Sequence, residues 1–78
     1  MHKALRGLDS REVERILKYY GFVFDRQRGS HQHFVGVIRG QERDVTVIAR
    51  QKHFAPDTLK SMIRQSGLSE EEWLEAIR

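Results

Sequence analysis

Cysteine is absent from the 78 residues of this chain, and proline occurs once. Without thiols the chain can form no disulfide framework, no thiolate zinc site and no cysteine nucleophile. No apolar run approaches the ~20 residues that are needed to cross a bilayer, and the first ten residues are too polar for a signal peptide. These absences predict a soluble, cytoplasmic protein with no membrane partner.

The residues that are present fit a folded protein, because 38% are hydrophobic and 32% are charged. A chain of this length buries only roughly 60% of the surface that its unfolded form exposes, so it supports one thin core. We find no repeat, no low-complexity stretch and no linker. We therefore expect a single domain that spans residues 1–78.

Charge is unevenly distributed along the chain. The net charge is +3, but residues 66–78 contain four glutamates and one arginine, and the thirteen cations and seven anions of the remaining body leave it at +6. Between residues 26 and 52, six basic residues face only Glu42 and Asp44. Such a surface can attract a polyanion. The alternative is that these charges only solvate loops and strand edges.

The first predicted helix begins at Asp9 or Ser10, where Asp9 and Glu12 have the spacing of a capping box. An apolar stripe at helical spacing follows: Val13, Ile16, Leu17 and Tyr20. Gly21 comes directly after this stripe and is typical of a left-handed helix end.

Two further helices are predicted near the C-terminus. Pro56 fits the first turn of one, and Gly67 ends it. Its buried face consists of Leu59, Met62 and Ile63. Ser69 and Glu72 form a second capping box that starts a short last helix. Leu68 before this helix and Trp73 within it occupy the two positions of a hydrophobic staple. A role in this staple explains the tryptophan better than stacking on a nucleic-acid base does.

Three strands are predicted between these helices, over residues 22–27, 31–39 and 43–50, with turns at residues 28–30 and 40–42. The short connections indicate an antiparallel meander. The predicted fold is α+β in the order α-β-β-β-α, with a three-stranded sheet, helices on one face and a short extra C-terminal helix. The opposite face of the sheet stays open.

The segment Gly29-Ser30-His31-Gln32-His33-Phe34 carries most of the chemistry in this sequence. Side chains alternate along a strand, so His31 and His33 share a face, and that face is the open one if Phe34 joins the core. Imidazoles near arginines can move protons beside a phosphate. The alternative is that both histidines are ordinary surface residues. They fall short of a zinc ligand set, so we predict neither a metal nor a cofactor.

From residue 10 to residue 77 the chain resembles the HicA family of toxin mRNA interferases, which have a double-stranded-RNA-binding-like fold. The resemblance rests on the helix ending in Tyr20-Gly21-Phe22, on Gly29-Ser30-His31 and on the helix over residues 58–68. It implies a metal-independent endoribonuclease, the toxin of a type II toxin-antitoxin system, that cleaves mRNA without the ribosome. It also implies that His31 is the catalytic residue and that a HicB-type antitoxin masks the His31 face.

Further residues are candidates for contact with RNA because they flank the histidine turn or follow the third strand: Arg26, Arg28, Ser30, His33, Arg50 and Lys52. Many members of the family have a proline and a histidine after the third strand. His53 could be the counterpart of that histidine, but a loop histidine without a role is the favoured interpretation.

Two other functions are compatible with the same sequence. A non-catalytic double-stranded-RNA-binding module would use the basic surface to bind the shape and 2′-hydroxyls of A-form RNA. A protein-interaction adaptor would bind another chain on the open sheet face or by strand addition at an edge. Replacement of His31 separates the enzyme from the first of these, and RNA binding at low salt separates it from the second.

Overall fold

The computed structural model describes every residue of the chain, from Met1 to Arg78. A 3₁₀ helix over Lys3–Leu5 precedes six main elements, which are α1 (Ser10–Tyr19), β1 (Val23–Arg28), β2 (His31–Ile38), β3 (Gln41–Ile48), α2 (Pro56–Ser66) and α3 (Glu70–Ile77). This order confirms the predicted α+β fold with its extra C-terminal helix. No helix is both long and apolar enough to cross a membrane.

The helix boundaries follow the capping residues that the sequence indicated. In α1 the Asp9 carboxylate accepts a hydrogen bond from the Glu12 amide at 2.8 Å, and the Glu12 carboxylate accepts one from the Asp9 amide at 3.0 Å. Ser69 and Glu72 form the same reciprocal pair at the start of α3. Each box satisfies two donors that a helix start would otherwise leave unpaired.

The three strands form an antiparallel sheet in the order β1-β2-β3, and both turns are two residues long. Gly29 has a φ of 60° at the first position of the β1–β2 turn, where a type II′ turn requires a positive φ. In the β2–β3 turn Arg39 and Gly40 both have positive φ, 50° and 78°, as a type I′ turn requires. The predicted turn over residues 40–42 was therefore wrong, because Arg39 adopts the left-handed conformation and β3 begins at Gln41.

A β-bulge interrupts the pairing of β1 with β2. Phe24 lies opposite Phe34 and Arg26 lies opposite His33, so Asp25 is an additional residue without a partner. Residues that pair directly across antiparallel strands share a face. Regular alternation from Phe24 would have turned Arg26 towards the helices, but the bulge places it on the face of His33.

The core lies between the sheet and the helices. It contains sixteen buried hydrophobic residues, namely Leu5, Leu8, Val13, Ile16, Leu17, Phe22, Phe34, Ile38, Val45, Val47, Phe54, Leu59, Met62, Ile63, Leu68 and Trp73. The apolar stripe of α2 is buried as its spacing predicted, and so is that of α1 except for Tyr20, which is partly buried. Leu5, Leu8 and Phe54 were not predicted, because they lie in short segments without helical or strand periodicity.

Phe22 precedes β1 rather than opening it, which corrects the predicted first strand. Its ring packs directly on Gly36 of β2, where an added Cβ would lie 2.9 Å from a ring carbon. Only glycine leaves room for the ring at this point. Phe24, on the same face of the sheet, stays half exposed because β1 is an edge strand, and its ring meets that of Phe34 edge to face.

The junction between α2 and α3 is held by buried polar contacts. Ser66 is fully buried, and its hydroxyl accepts hydrogen bonds from the Trp73 indole N–H and the Leu68 amide, both at 3.1 Å. Arg39 of the β2–β3 turn forms two hydrogen bonds of 3.2 Å with the Glu72 carboxylate. Hydrogen bonds from Arg39 first, and from the Ser69 amide second, lower the pKa of Glu72 to about 2.

Candidate functional site

The open face of the sheet brings together residues from all three strands. The pairing register places these side chains on it: Val23, Arg26 and Arg28 from β1, His31, His33, Val35 and Val37 from β2, and Glu42, Asp44, Thr46 and Ile48 from β3. Phe34 is buried on the opposite face beneath the helices. His31 and His33 therefore share the open face, as strand alternation predicted, and the two arginines of β1 lie beside them.

His31 is the first residue of β2 and is exposed to solvent. It lies between Arg28 of β1 and Ile48 of β3 in the pairing register. Neither ring nitrogen has a hydrogen-bond partner within the chain, so both are available to a ligand. The backbone around it is fixed, because the Ala49 amide donates to the Ser30 carbonyl at 2.7 Å directly beside the turn.

His33 differs from His31 because a carboxylate orients its ring. Nδ1 of His33 lies 2.9 Å from Oδ1 of Asp44, and the His33 side chain is only 22% exposed. An ionised carboxylate can only accept a hydrogen bond, so Nδ1 must carry the proton. In neutral His33 the lone pair is then on Nε2, which has no partner in the chain.

Asp44 also contacts Arg26, so it joins residues of all three strands. Its second oxygen lies 3.3 Å from the Arg26 guanidinium, which also binds Asp25 at 2.7 Å. Partial burial raises the pKa of the Asp44 carboxyl, but hydrogen bonds and charge from His33 and Arg26 outweigh it and leave that pKa below its usual value. Asp44 is therefore ionised at neutral pH.

The other predicted cations divide between two places. Arg28 lies on the open face next to His31 and forms no ion pair. Arg50 and Lys52 lie around the end of the sheet and line a cleft of about 370 Å³ beside the start of α1, together with Arg11. The structure thus groups Arg26 and Arg28 with the histidines and sets Arg50 and Lys52 apart from them.

Arg50 has an unusual backbone for its residue type. Its φ is 61°, in the left-handed region that favours glycine, and it follows β3 by two residues. Ser30, the remaining candidate for RNA contact, lies in the β1–β2 turn with its hydroxyl unbonded and exposed. His53 lies in the cleft with Arg50, and its Nδ1 is 3.2 Å from the Gly7 carbonyl.

The half of the open face away from the β1–β2 turn carries apolar side chains beside two carboxylates. Val23 and Val37 are 58% and 63% exposed, and they line, with Val35, a shallow groove of about 800 Å³. Glu42 and Asp44 lie along one side of this groove. These three valines give this half of the open face its apolar surface.

Two further observations concern metal ions and base stacking. No group of three or more histidine, aspartate or glutamate side chains is arranged to hold a metal ion. Trp73 is fully buried and cannot stack on a base, as its position in the staple predicted.

The sequence did not point to two residues, Asp44 on the open face and Arg11 in the cleft beside α1. Asp44 was overlooked because the predicted turn over residues 40–42 would place it opposite Ile38. The observed register places it opposite Val35, diagonally across from His33. A two-residue turn at Arg39 and Gly40 would have predicted this position of Asp44. Arg11 was also missed, although the predicted start of α1 already placed it in the first helical turn.

The comparison with known proteins agrees with this architecture. A family model described as the HicA toxin of bacterial toxin-antitoxin systems matches residues 10–68. The matched segment contains α1, all three strands and α2, and it includes every candidate site residue named above. No curated protein matches the chain. Because the family model covers well over half of its length, the chain belongs to the HicA toxin family.

Proposed function

We propose that this protein is the toxin of a type II toxin-antitoxin pair and that it is an endoribonuclease that cleaves mRNA at the open face of its sheet. Membership of the HicA family supports the toxin role. The observation that carries the enzymatic role is an exposed, unpartnered imidazole at the start of β2, beside an arginine that has no ion pair of its own.

RNA can be cleaved by its own 2′-hydroxyl. A base removes the proton of this hydroxyl, the oxygen attacks the adjacent phosphorus, and the bond to the 5′-oxygen breaks as an acid protonates that oxygen. The products are a 2′,3′-cyclic phosphate and a 5′-hydroxyl. His31 provides one of the two proton-transfer groups, and the Arg28 guanidinium stabilises the charge that develops on the phosphate. An imidazole, with an ordinary pKa of about 6.5, suits either role near neutral pH.

The cations contribute unequally to RNA binding in this proposal. Arg28, Arg50 and Lys52 form no ion pair and are free to contact phosphates. Arg26 is already bound by two carboxylates, and it adds less to the attraction of a polyanion. The Ser30 hydroxyl and His33 complete the set of RNA contacts. An RNA strand that reaches both groups of cations passes over the β1–β2 turn and around the end of the sheet.

We further propose that a HicB-type antitoxin masks the His31 face. The exposed valines of the groove give such a partner an apolar anchor next to the histidines. The +6 charge of the body outside residues 66–78 favours an acidic partner. A short reading frame for a small acidic protein beside this gene would support the pairing.

The test compares wild type with His31→Ala. Expression of the wild type should arrest growth, and the purified protein should cleave RNA with a chelator present. His31→Ala should fold and bind RNA but neither arrest growth nor cleave. Equal toxicity and cleavage by folded His31→Ala would contradict the proposal. RNA binding without cleavage by the wild type would indicate a binding module, and the absence of binding at low salt would indicate an adaptor.

A further inference from the structure

We propose that His33 is the second proton-transfer residue of the site and that Asp44 is its positioning residue. The inference rests on the proposed function, because it assigns the partner of His31 in RNA cleavage. Three observations carry it: the hydrogen bond of 2.9 Å between His33 and Asp44, the free Nε2 of His33, and the shared face of the two histidines.

The reaction requires two groups in opposite protonation states. One takes the proton of the 2′-hydroxyl, and the other gives a proton to the 5′-oxygen, so neutral and protonated imidazoles are needed together. His31 and His33 are the only titratable side chains of this kind on the open face. Neither carboxylate of β3 on this face can replace His33, because Asp44 is ionised and bound to two partners and Glu42 lies opposite Val37, at the far end of β2 from His31.

Strand geometry separates the two rings suitably. Residues two apart on one strand face lie about 6.5–7 Å apart along the strand. A phosphorus atom between the rings can then present its attacking oxygen to one imidazole and its leaving oxygen to the other. Arg28 lies opposite His31 at one end of this interval, and Arg26 lies opposite His33 at the other.

Asp44 prepares His33 for this role in two ways. It fixes the proton on Nδ1, so Nε2 exchanges protons with the substrate. It also faces the charge of protonated His33 directly. Asp44 is itself held by Arg26, which reaches it only because the bulge at Asp25 turns Arg26 to the open face. An aspartate that holds a histidine in one tautomer is a recurring device of hydrolytic sites.

The experiment measures kcat, KM and the pH dependence of RNA cleavage for His33→Gln and Asp44→Ala. The charged and titratable groups that face His33 are Arg26, His31 and Asp44, since the helices pack on the other side of the sheet. His33→Gln should lower kcat about 10²–10⁴-fold and remove one limb of the bell-shaped pH profile. Asp44→Ala should lower kcat on the order of ten-fold, because solvent screens an exposed pair.

Two readouts separate positioning from a structural or electrostatic role. Asp44→Ala removes a negative charge from a surface that binds an anion, so KM should not rise. Nitrogen-15 NMR should show neutral His33 protonated at Nδ1 in the wild type and at Nε2 in Asp44→Ala. Glu42→Ala is the matched control, since it removes a carboxylate from the same strand and face without a contact to His33, and it should leave kcat and the tautomer unchanged.

The outcomes distinguish the inference from the proposed function. If His31→Ala is inactive while His33→Gln retains wild-type kcat and both limbs of the pH profile, the inference is wrong and the function stands. Wild-type His33 protonated at Nε2 when neutral would also overturn it. If His31→Ala is fully active, the proposed function itself fails.

Discussion

Salt dependence of RNA binding tests which cations of this surface meet the RNA backbone. Each phosphate contact with single-stranded RNA contributes about 0.7 to the slope of log affinity against log salt. Arg28, Arg50 and Lys52 are unpaired, whereas Arg26 is bound by Asp25 and Asp44. Three contacts predict a slope of about −2, so affinity should fall roughly 18-fold between 50 and 200 mM salt. A full fourth contact would make that fall roughly 50-fold.

The assay is fluorescence anisotropy with a short labelled RNA and the His31→Ala protein, which prevents cleavage during titration. Replacing Arg28, Arg50 or Lys52 by glutamine should each make the slope about 0.7 shallower, whereas Arg26→Gln should change it little. A flat dependence in the parent protein, or a larger effect of Arg26→Gln than of the other three, would refute the assignment.

Two further predictions concern stability. Ser66→Ala leaves the Trp73 indole N–H and one backbone amide buried without an acceptor. Chemical denaturation should therefore show a free energy of unfolding lower by about 2–4 kcal/mol. The control, Ser61→Ala, breaks no side-chain hydrogen bond and should stay within about 0.5 kcal/mol of wild type. A loss equally small for both would contradict this account of the helix junction. The pKa of Glu72 is about 2 in the folded protein and about 4.3 in the unfolded chain. The ion pair of Glu72 therefore stabilises the fold fully above pH ~4.3, and this stabilisation is lost as the pH falls towards 2. Thermal melts should therefore show that Glu72→Gln is less stable than wild type at neutral pH and that the two melting temperatures converge near pH 2. The control Glu71→Gln should show no such convergence. A difference in melting temperature between Glu72→Gln and wild type that persists unchanged at pH 2 would contradict the assignment.

Much of the fold could be predicted from patterns between residues that are close in sequence. Capping boxes and the spacing of apolar residues fixed α1, α2 and α3 to within a residue or two, because these signals act within a few positions of the chain. Strand alternation placed both histidines on one face of the sheet and Phe34 on the other for the same reason. These features depend on neighbours in sequence and needed no knowledge of the register.

Features that depend on pairing between strands could not be predicted. The bulge at Asp25 is visible only in the pairing register of β1 with β2, and no residue type there demands it. The contact between His33 and Asp44 needs the two-residue turn in which Arg39 takes a left-handed conformation that arginine seldom adopts. The side chain of Arg39 is hydrogen-bonded to Glu72, a contact across 33 residues of sequence.

The role that we propose for His31 could be reached from the sequence only through family resemblance. Strand periodicity does not distinguish His31 from His33. In the structure the ring of His33 is oriented by Asp44, whereas the ring of His31 has no hydrogen-bond partner. Both are needed if the reaction uses an acid and a base. The resemblance selected His31, and the contact with Asp44 is the ground on which we propose His33 as well.

The most direct test of the central claim is single-turnover cleavage of an RNA oligonucleotide by the wild type and by His31→Ala, with a 2′-deoxy substrate as the control. We predict that His31→Ala lowers the cleavage rate about 10²–10⁴-fold while its affinity for RNA is retained. We also predict that the wild type leaves the 2′-deoxy linkage intact. A His31→Ala protein that is folded and cleaves RNA at the wild-type rate would contradict the account.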